Sequence, residues 1–241
     1  MTKLSDIPLR ERKQSRTRLA IYDASQALLK DRYLSEIKVE EICEMVEISR
    51  GTFFKYFTRK VDLITYAIRL WSVETGWEVE RMDPGDLGIT FIYDLFHRAA
   101  ENMKINPYFW REMMALKIFE PETINRLNQN QVTLVSLADR LMRFPDKPGI
   151  EDIPEGTILT FLKKSLKTAV EKEELPGNLD IDSTLISLTS ILYGVPMMMS
   201  GYTDLTHLPD EYDRQLNILW TGLRSVLSHP PDKNPGFFFP F

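Results

Sequence analysis

The sequence predicts an all-α protein of about ten helices. Three observations carry this. Apolar residues recur along most of the chain at i, i+3, i+4 and i+7, the spacing that lines one face of a helix. No stretch shows sustained two-residue alternation bounded by hairpin turns. Pro- and Gly-containing breakers divide the helical stretches at intervals.

The elements follow in order. Ile21, Ala24 and Leu28 mark a first helix, and Val39, Ile42, Cys43 and Val46 a second. Ser49 is placed to cap a short third helix running to Phe57. A long connector begins near Arg59 and ends near Met82, before Asp83-Pro84-Gly85-Asp86. Ile89, Ile92, Phe96, Ala99, Ala100 and Met103 form the next stripe. Asn106-Pro107 and Glu120-Pro121 each put proline near the first position of a new helix. Beyond a Pro-, Gly- and Asp-rich loop at Pro145–Pro154, Leu159, Leu162, Leu166, Ala169 and Val170 continue the pattern. Two long helices close the chain, at about Ile181–Gly201 and Glu211–Ser228, with Pro196 expected to kink the first.

The chain has 241 residues, of which 43% are hydrophobic and 27% charged, enough for a sizeable buried core and too apolar for disorder. Its one cysteine, Cys43, makes no internal disulfide, which suits a reducing cytoplasm. No apolar run reaches the ~18 residues of a membrane span, and Met1–Arg18 lacks a signal-peptide core, so no membrane association is expected. His97, His207 and His229 are scattered, and no phosphate-cradling glycine loop or metal-ligand spacing occurs. The sequence thus predicts no catalytic residue, metal or cofactor.

The net charge of -5 argues against nucleic acid, but its distribution is uneven. Residues 1–60 carry thirteen Lys and Arg against nine Asp and Glu, net +4, and residues 61–241 are net -9. A basic domain over 1–60 and an acidic domain over 61–241 are therefore expected. Val39–Phe57 reads as helix, brief turn, helix, an arrangement that lets a second helix enter the major groove while the first braces it.

From Thr17 to Ala67 the sequence resembles the TetR family of bacterial transcriptional regulators. Thr17-Arg18, Ile21, Ala24 and Leu28-Leu29 are similar to its first helix, and Val39-Glu40-Glu41-Ile42-Cys43 to the start of its second. Ile48-Ser49-Arg50-Gly51-Thr52-Phe53-Phe54-Lys55-Tyr56-Phe57 resembles its recognition helix, and Thr58-Arg59-Lys60-Val61-Asp62-Leu63 the start of its fourth. The resemblance implies that Arg50, Thr52, Phe53, Lys55 and Tyr56 face DNA and that Lys60 binds phosphate. Apart from it, the basic stretch that includes Arg16 and Arg18 reads as an arm that would lie along the backbone or enter the minor groove. The resemblance is incomplete. It departs from the family at Glu47, where the turn usually carries Gly, at Lys38 in place of a small capping hydroxyl, and at Phe54 in place of Tyr.

The same resemblance implies a palindromic DNA operator, a homodimer formed through about 181–201 and 211–228, and a small-molecule effector that releases a repressor. An adaptor of the same fold without sequence-specific DNA binding is the alternative. Met and aromatic side chains suit a plastic apolar cavity. Trp71, Tyr93, Phe96, Met103, Phe109, Trp110, Met113, Met114 and Met197 are its expected lining. Asn125, Asn128, Gln129, Asn130 and Gln131 are polar candidates. The phenylalanines of Pro235–Phe241 are expected to dock on the body or a partner subunit.

Overall fold

The computed structural model describes residues 2–83, 85–120, 122–123, 135–154, 156–199 and 205–228, with side chains as far as 225 in the last segment. Among these residues there are ten α-helices, two 3-10 turns and no strand. Beyond residues 122–123, the helix expected after Pro121 lies outside them, as do the Asn/Gln group 125–131, His229 and the segment Pro230–Phe241.

Helix α1 spans Leu9–Leu28, α2 Val39–Val46 and α3 Arg50–Tyr56. Helix α4 spans Asp62–Arg81, α5 Ile89–Ile105, α6 Pro107–Phe119 and α7 Leu137–Arg143. Helix α8 spans Ile158–Glu171, α9 Ile181–Met199 and α10 Leu208–Ser228. Helix α6 starts with proline at its first position, where the missing N–H has no helical partner to lose. Helix α9 continues through Pro196 for three more residues.

The first helix differs most from expectation. The basic stretch before Thr17 does not form an extended arm. A 3-10 turn at Leu4–Asp6 leads into α1, which takes Arg10, Arg12, Lys13, Arg16 and Arg18 into its first turns. The chain start is tied to the body, because the Thr2 N–H donates to Glu151 Oε1 at 2.8 Å and Ile7 is buried.

Two apolar cores organise the helices. The first joins α1, α2, α3 and the N-terminal half of α4 through Ile21, Ile42, Phe53, Phe57 and Tyr66, and also takes in Met113, Leu116, Phe144 and Ile150. The second packs α5, α8, α9 and α10 through Phe96, Leu162, Leu166, Leu188, Leu192, Tyr212 and Trp220. The buried members of the two cores divide within α4, between Val73 and Val79. Local periodicity marks the basic segment, but packing extends its core into residues 113–153.

Polar straps fix the remaining contacts. Tyr212 donates to the Leu192 carbonyl at 2.7 Å, and His97 Nε2 meets Asp213 Oδ1 at 2.6 Å. Glu174 accepts the Ile89 N–H at 2.9 Å and pairs with Lys172 at 2.7 Å, satisfying an orphan donor at the start of α5. Burial alone would raise the Glu174 carboxyl. The Ile89 N–H, Lys172 and Arg224 outweigh burial and hold it below its ordinary value.

Candidate nucleic-acid interface and interior cavity

The helix–turn–helix begins at Lys38, whose side chain does not cap α2. The Glu41 carboxylate, reaching back from the first turn, accepts the Lys38 N–H at 2.9 Å and binds Arg32 at 2.8 Å. Helix α2 ends at Glu47, at φ 56 and ψ 45, the left-handed region. The Glu47 N–H closes on the carbonyls of both Cys43 and Glu44. The conformation that glycine adopts freely is thus held here by glutamate. Ser49 then caps α3, its Oγ accepting the Thr52 N–H at 3.1 Å.

Helix α3 is two-faced. Phe53 and Phe57, four residues apart, are fully buried and anchor the helix. Arg50, Gly51, Phe54 and Lys55 are exposed, and Thr52 and Tyr56 are half-buried. Arg50 pairs with Glu40 of α2 at 2.8 Å, with both side chains largely in solvent. Of the eight residues that the sequence marks for DNA contact, Arg16, Arg50 and Lys55 are exposed cations.

Three others are engaged elsewhere. Lys60 donates to the Leu34 carbonyl at 2.7 Å and the Ile37 carbonyl at 2.8 Å, satisfying acceptors in the α1–α2 loop. Phe53 belongs to the core. Arg18 pairs with Asp139 of α7, fully buried, while its guanidinium lies 5.9 Å from the Tyr56 ring centroid. Arg18 therefore joins α3 to α7. Around it, Ser15 and Ser136 share a hydrogen bond at 3.1 Å, and Arg143 pairs with Asp23 at 3.0 Å. Tyr66 of α4 lies beside Asp139. Burial first, then that carboxylate's charge, push its phenol well above its ordinary value. Ser136, Asp139 and Arg143 lie more than a hundred residues beyond α1, so no local pattern announces them.

A cavity of about 180 Å³ opens between α1, α4, α5, α6, α8 and α9. Trp71, Phe109, Trp110 and Met113 line it, as does Tyr193 of α9. Tyr93, Phe96, Met103, Met114 and Met197 do not. Tyr93 donates to Asn217 at 2.8 Å, Phe96 packs edge-on against Tyr212, and the Tyr212 hydroxyl lies 3.9 Å from the Met103 sulfur. Met114 is half-buried on α6, and Met197 is exposed at the end of α9. One face of α5 is thus spent on α10 rather than on the cavity.

The sequence reading missed the polar lining. Tyr22 and Gln26 come from α1, Asn102 and Asn106 from the end of α5, and Lys117 from α6. Burial pushes the Tyr193 phenol up to about 12, and burial, only partly offset by Arg143, does the same to Tyr22, so both rings are neutral at physiological pH. Among the described residues no group of three His, Cys, Asp or Glu side chains could hold a metal ion. Burial raises the Cys43 thiol above its ordinary value.

No family model and no curated protein matches this sequence. Among solved structures, Salmonella enterica GusR aligns over 88% of this chain and 95% of its own, with 19% identity and a TM-score of 0.53. A TetR transcriptional regulator from Rhodococcus sp. RHA1 aligns over 88% and 99%, with 16% identity and a TM-score of 0.43. The similarity to GusR makes the all-helical fold a shared one.

Proposed function

We propose that this chain is a DNA-binding transcriptional regulator, homodimeric and responsive to a small molecule, that acts in the cytoplasm. The observation that carries the reading is the α2–turn–α3 unit. It has a capped second helix anchored by Phe53 and Phe57, with Arg50 and Lys55 outward. That geometry suits a helix held in the major groove. The sequence resemblance over Thr17–Ala67 supports it independently.

Dimerisation rests on α9 and α10. Helix α9 is long and apolar enough, by length and composition, to cross a membrane, yet only 22% of its apolar window is buried. Ile186 and Met198 on α9 and Ile218 on α10 are 68%, 80% and 62% exposed. A Cβ added at Gly194 or Gly222 would meet nothing within 4 Å. A second copy packing there as a four-helix bundle would cover this apolar surface. It would also set two α3 helices against half-sites roughly 34–36 Å apart.

The cavity is the proposed effector site. It touches α4 through Trp71 and α1 through Tyr22 and Gln26, so a ligand that fits one arrangement of these helices better than another would shift the reading heads. Repression relieved by the effector is the mode that the resemblance favours. The Arg50–Glu40 pair and the acidic α2 favour a second reading, an adaptor that no longer reads DNA. A gel shift with the upstream DNA of the gene, over a salt series, separates them. The regulator should bind at low salt, with affinity falling by a slope of about 0.9 per phosphate neutralised. Thr52→Ala with Arg50→Ala should then weaken specific binding more than non-specific binding. No binding at low salt would favour the adaptor.

A further inference from the structure

The cavity lining is uneven in a way that defines its ligand. Five described lining side chains, Tyr22, Trp71, Phe109, Trp110 and Tyr193, are aromatic walls from α1, α4, α6 and α9. Lys117 is the one side chain of unit charge among the described lining residues. Its Nζ lies 3.8 Å from the Tyr193 ring centroid, and no carboxylate among the described residues pairs with it. Lys117 as a whole is an exposed residue, and the partial burial of its ammonium lowers its pKa below the ordinary lysine value.

Two lining amides are also unsatisfied. Gln26 Nε2 and Asn106 Oδ1 are buried without a hydrogen-bond partner. Asn106 is the N-cap residue of α6, where an Asn side chain ordinarily accepts a backbone N–H, and here it makes no cap bond. A buried unpaired amide is costly, so such groups ordinarily have a partner when the site is occupied. The volume is also informative. An engineered cavity of roughly 150 Å³ accommodates benzene. About 180 Å³ therefore suits one ring with short substituents.

We propose that the cavity binds a single-ring aromatic monocarboxylate. The ring lies among Trp71, Phe109 and Trp110, Lys117 holds the carboxylate, and Gln26 and Asn106 bond a polar ring substituent. A single ammonium neutralises a single charge, and a cation would meet Lys117 with no carboxylate beside it. The inference rests on reading the cavity as the effector site.

The test is calorimetry on the full chain without DNA, with 4-hydroxyphenylacetate and its neutral isostere 4-hydroxyphenylacetamide as probes. Tryptophan fluorescence provides a second readout through Trp71 and Trp110. The acid should bind at least about tenfold more tightly than the amide, as expected for a charge-assisted bond. Lys117→Met should bring the two within about twofold, and Lys117→Arg should keep the preference. Lys117→Gln replaces Lys117→Met if that variant does not fold. Equal binding of acid and amide to the wild-type chain, an acid preference that survives Lys117→Met, or binding of neither probe overturns the inference. Because no DNA is present, a negative gel shift refutes the regulator reading without touching this result.

Discussion

Replacing Glu47 by glycine should stabilise this protein. At φ 56 and ψ 45 the side chain sits in the left-handed region. There its Cβ crowds the carbonyl oxygen, at a cost of about 1–2 kcal/mol for a non-glycine residue. Glycine removes that strain but loses more backbone freedom on folding, about 0.5–1 kcal/mol. The net gain is about 0.5–1 kcal/mol. In a chain of this size, 1 kcal/mol moves the melting temperature by about 2–4 °C, so Glu47→Gly should melt about 1–4 °C higher. The assay is thermal unfolding at matched protein concentration, because the melting point of the proposed dimer would depend on it. Glu47→Gln is the control. It removes the same negative charge from the C-terminus of α2, relieving an unfavourable dipole contact, but keeps the Cβ. Both variants should raise non-specific DNA affinity at low salt to a similar degree, since each removes one negative charge beside α3. Only the glycine variant gains the backbone term. A Glu47→Gly protein that melts at or below the Glu47→Gln protein would refute the strain argument.

Four further outcomes follow from the packing. Arg18→Ala strands the fully buried Asp139 carboxylate and should cost about 3 kcal/mol in chemical denaturation, with Arg18→Ala/Asp139→Asn recovering part of it. Gly88→Ala puts a Cβ 2.5 Å from Glu174 Oε2 at a φ of 116, and should lower the melting temperature by several degrees, corresponding to about 1–3 kcal/mol. The depressed Glu174 carboxyl contributes stability above its unfolded pKa of about 4.3, and this is lost as pH falls through the lower folded value. Glu174→Gln should therefore flatten the acid limb of a stability–pH curve. Ile186→Glu with Ile218→Glu should convert the proposed dimer to a monomer in light scattering while leaving the helical circular dichroism intact.

Much of the α2–turn–α3 unit is legible in sequence because its determinants are local. Ser49 caps a helix three residues ahead, Phe53 and Phe57 share a face by their four-residue spacing, and Glu47 stands where the chain must reverse. The cavity is only partly legible. Trp71, Phe109, Trp110 and Met113 line it, whereas Phe96 and Met103 have the same composition and periodicity but face Tyr212. A helical stripe announces that a face is buried, not which neighbour buries it.

The sequence by itself determined the helical class, the turn and the polarity of α3, because each follows from contacts within a few residues. Only the tertiary structure decided that the basic start of the chain is helical and tied to Glu151, and that Arg18 pairs with Asp139 and Lys60 with the Leu34 and Ile37 carbonyls. It also decided that Lys117 meets Tyr193 across an aromatic cavity. Those partners are distant in sequence. A buried charge or an unfilled carbonyl is answered by whichever group the fold carries to it, and chain order does not record that choice.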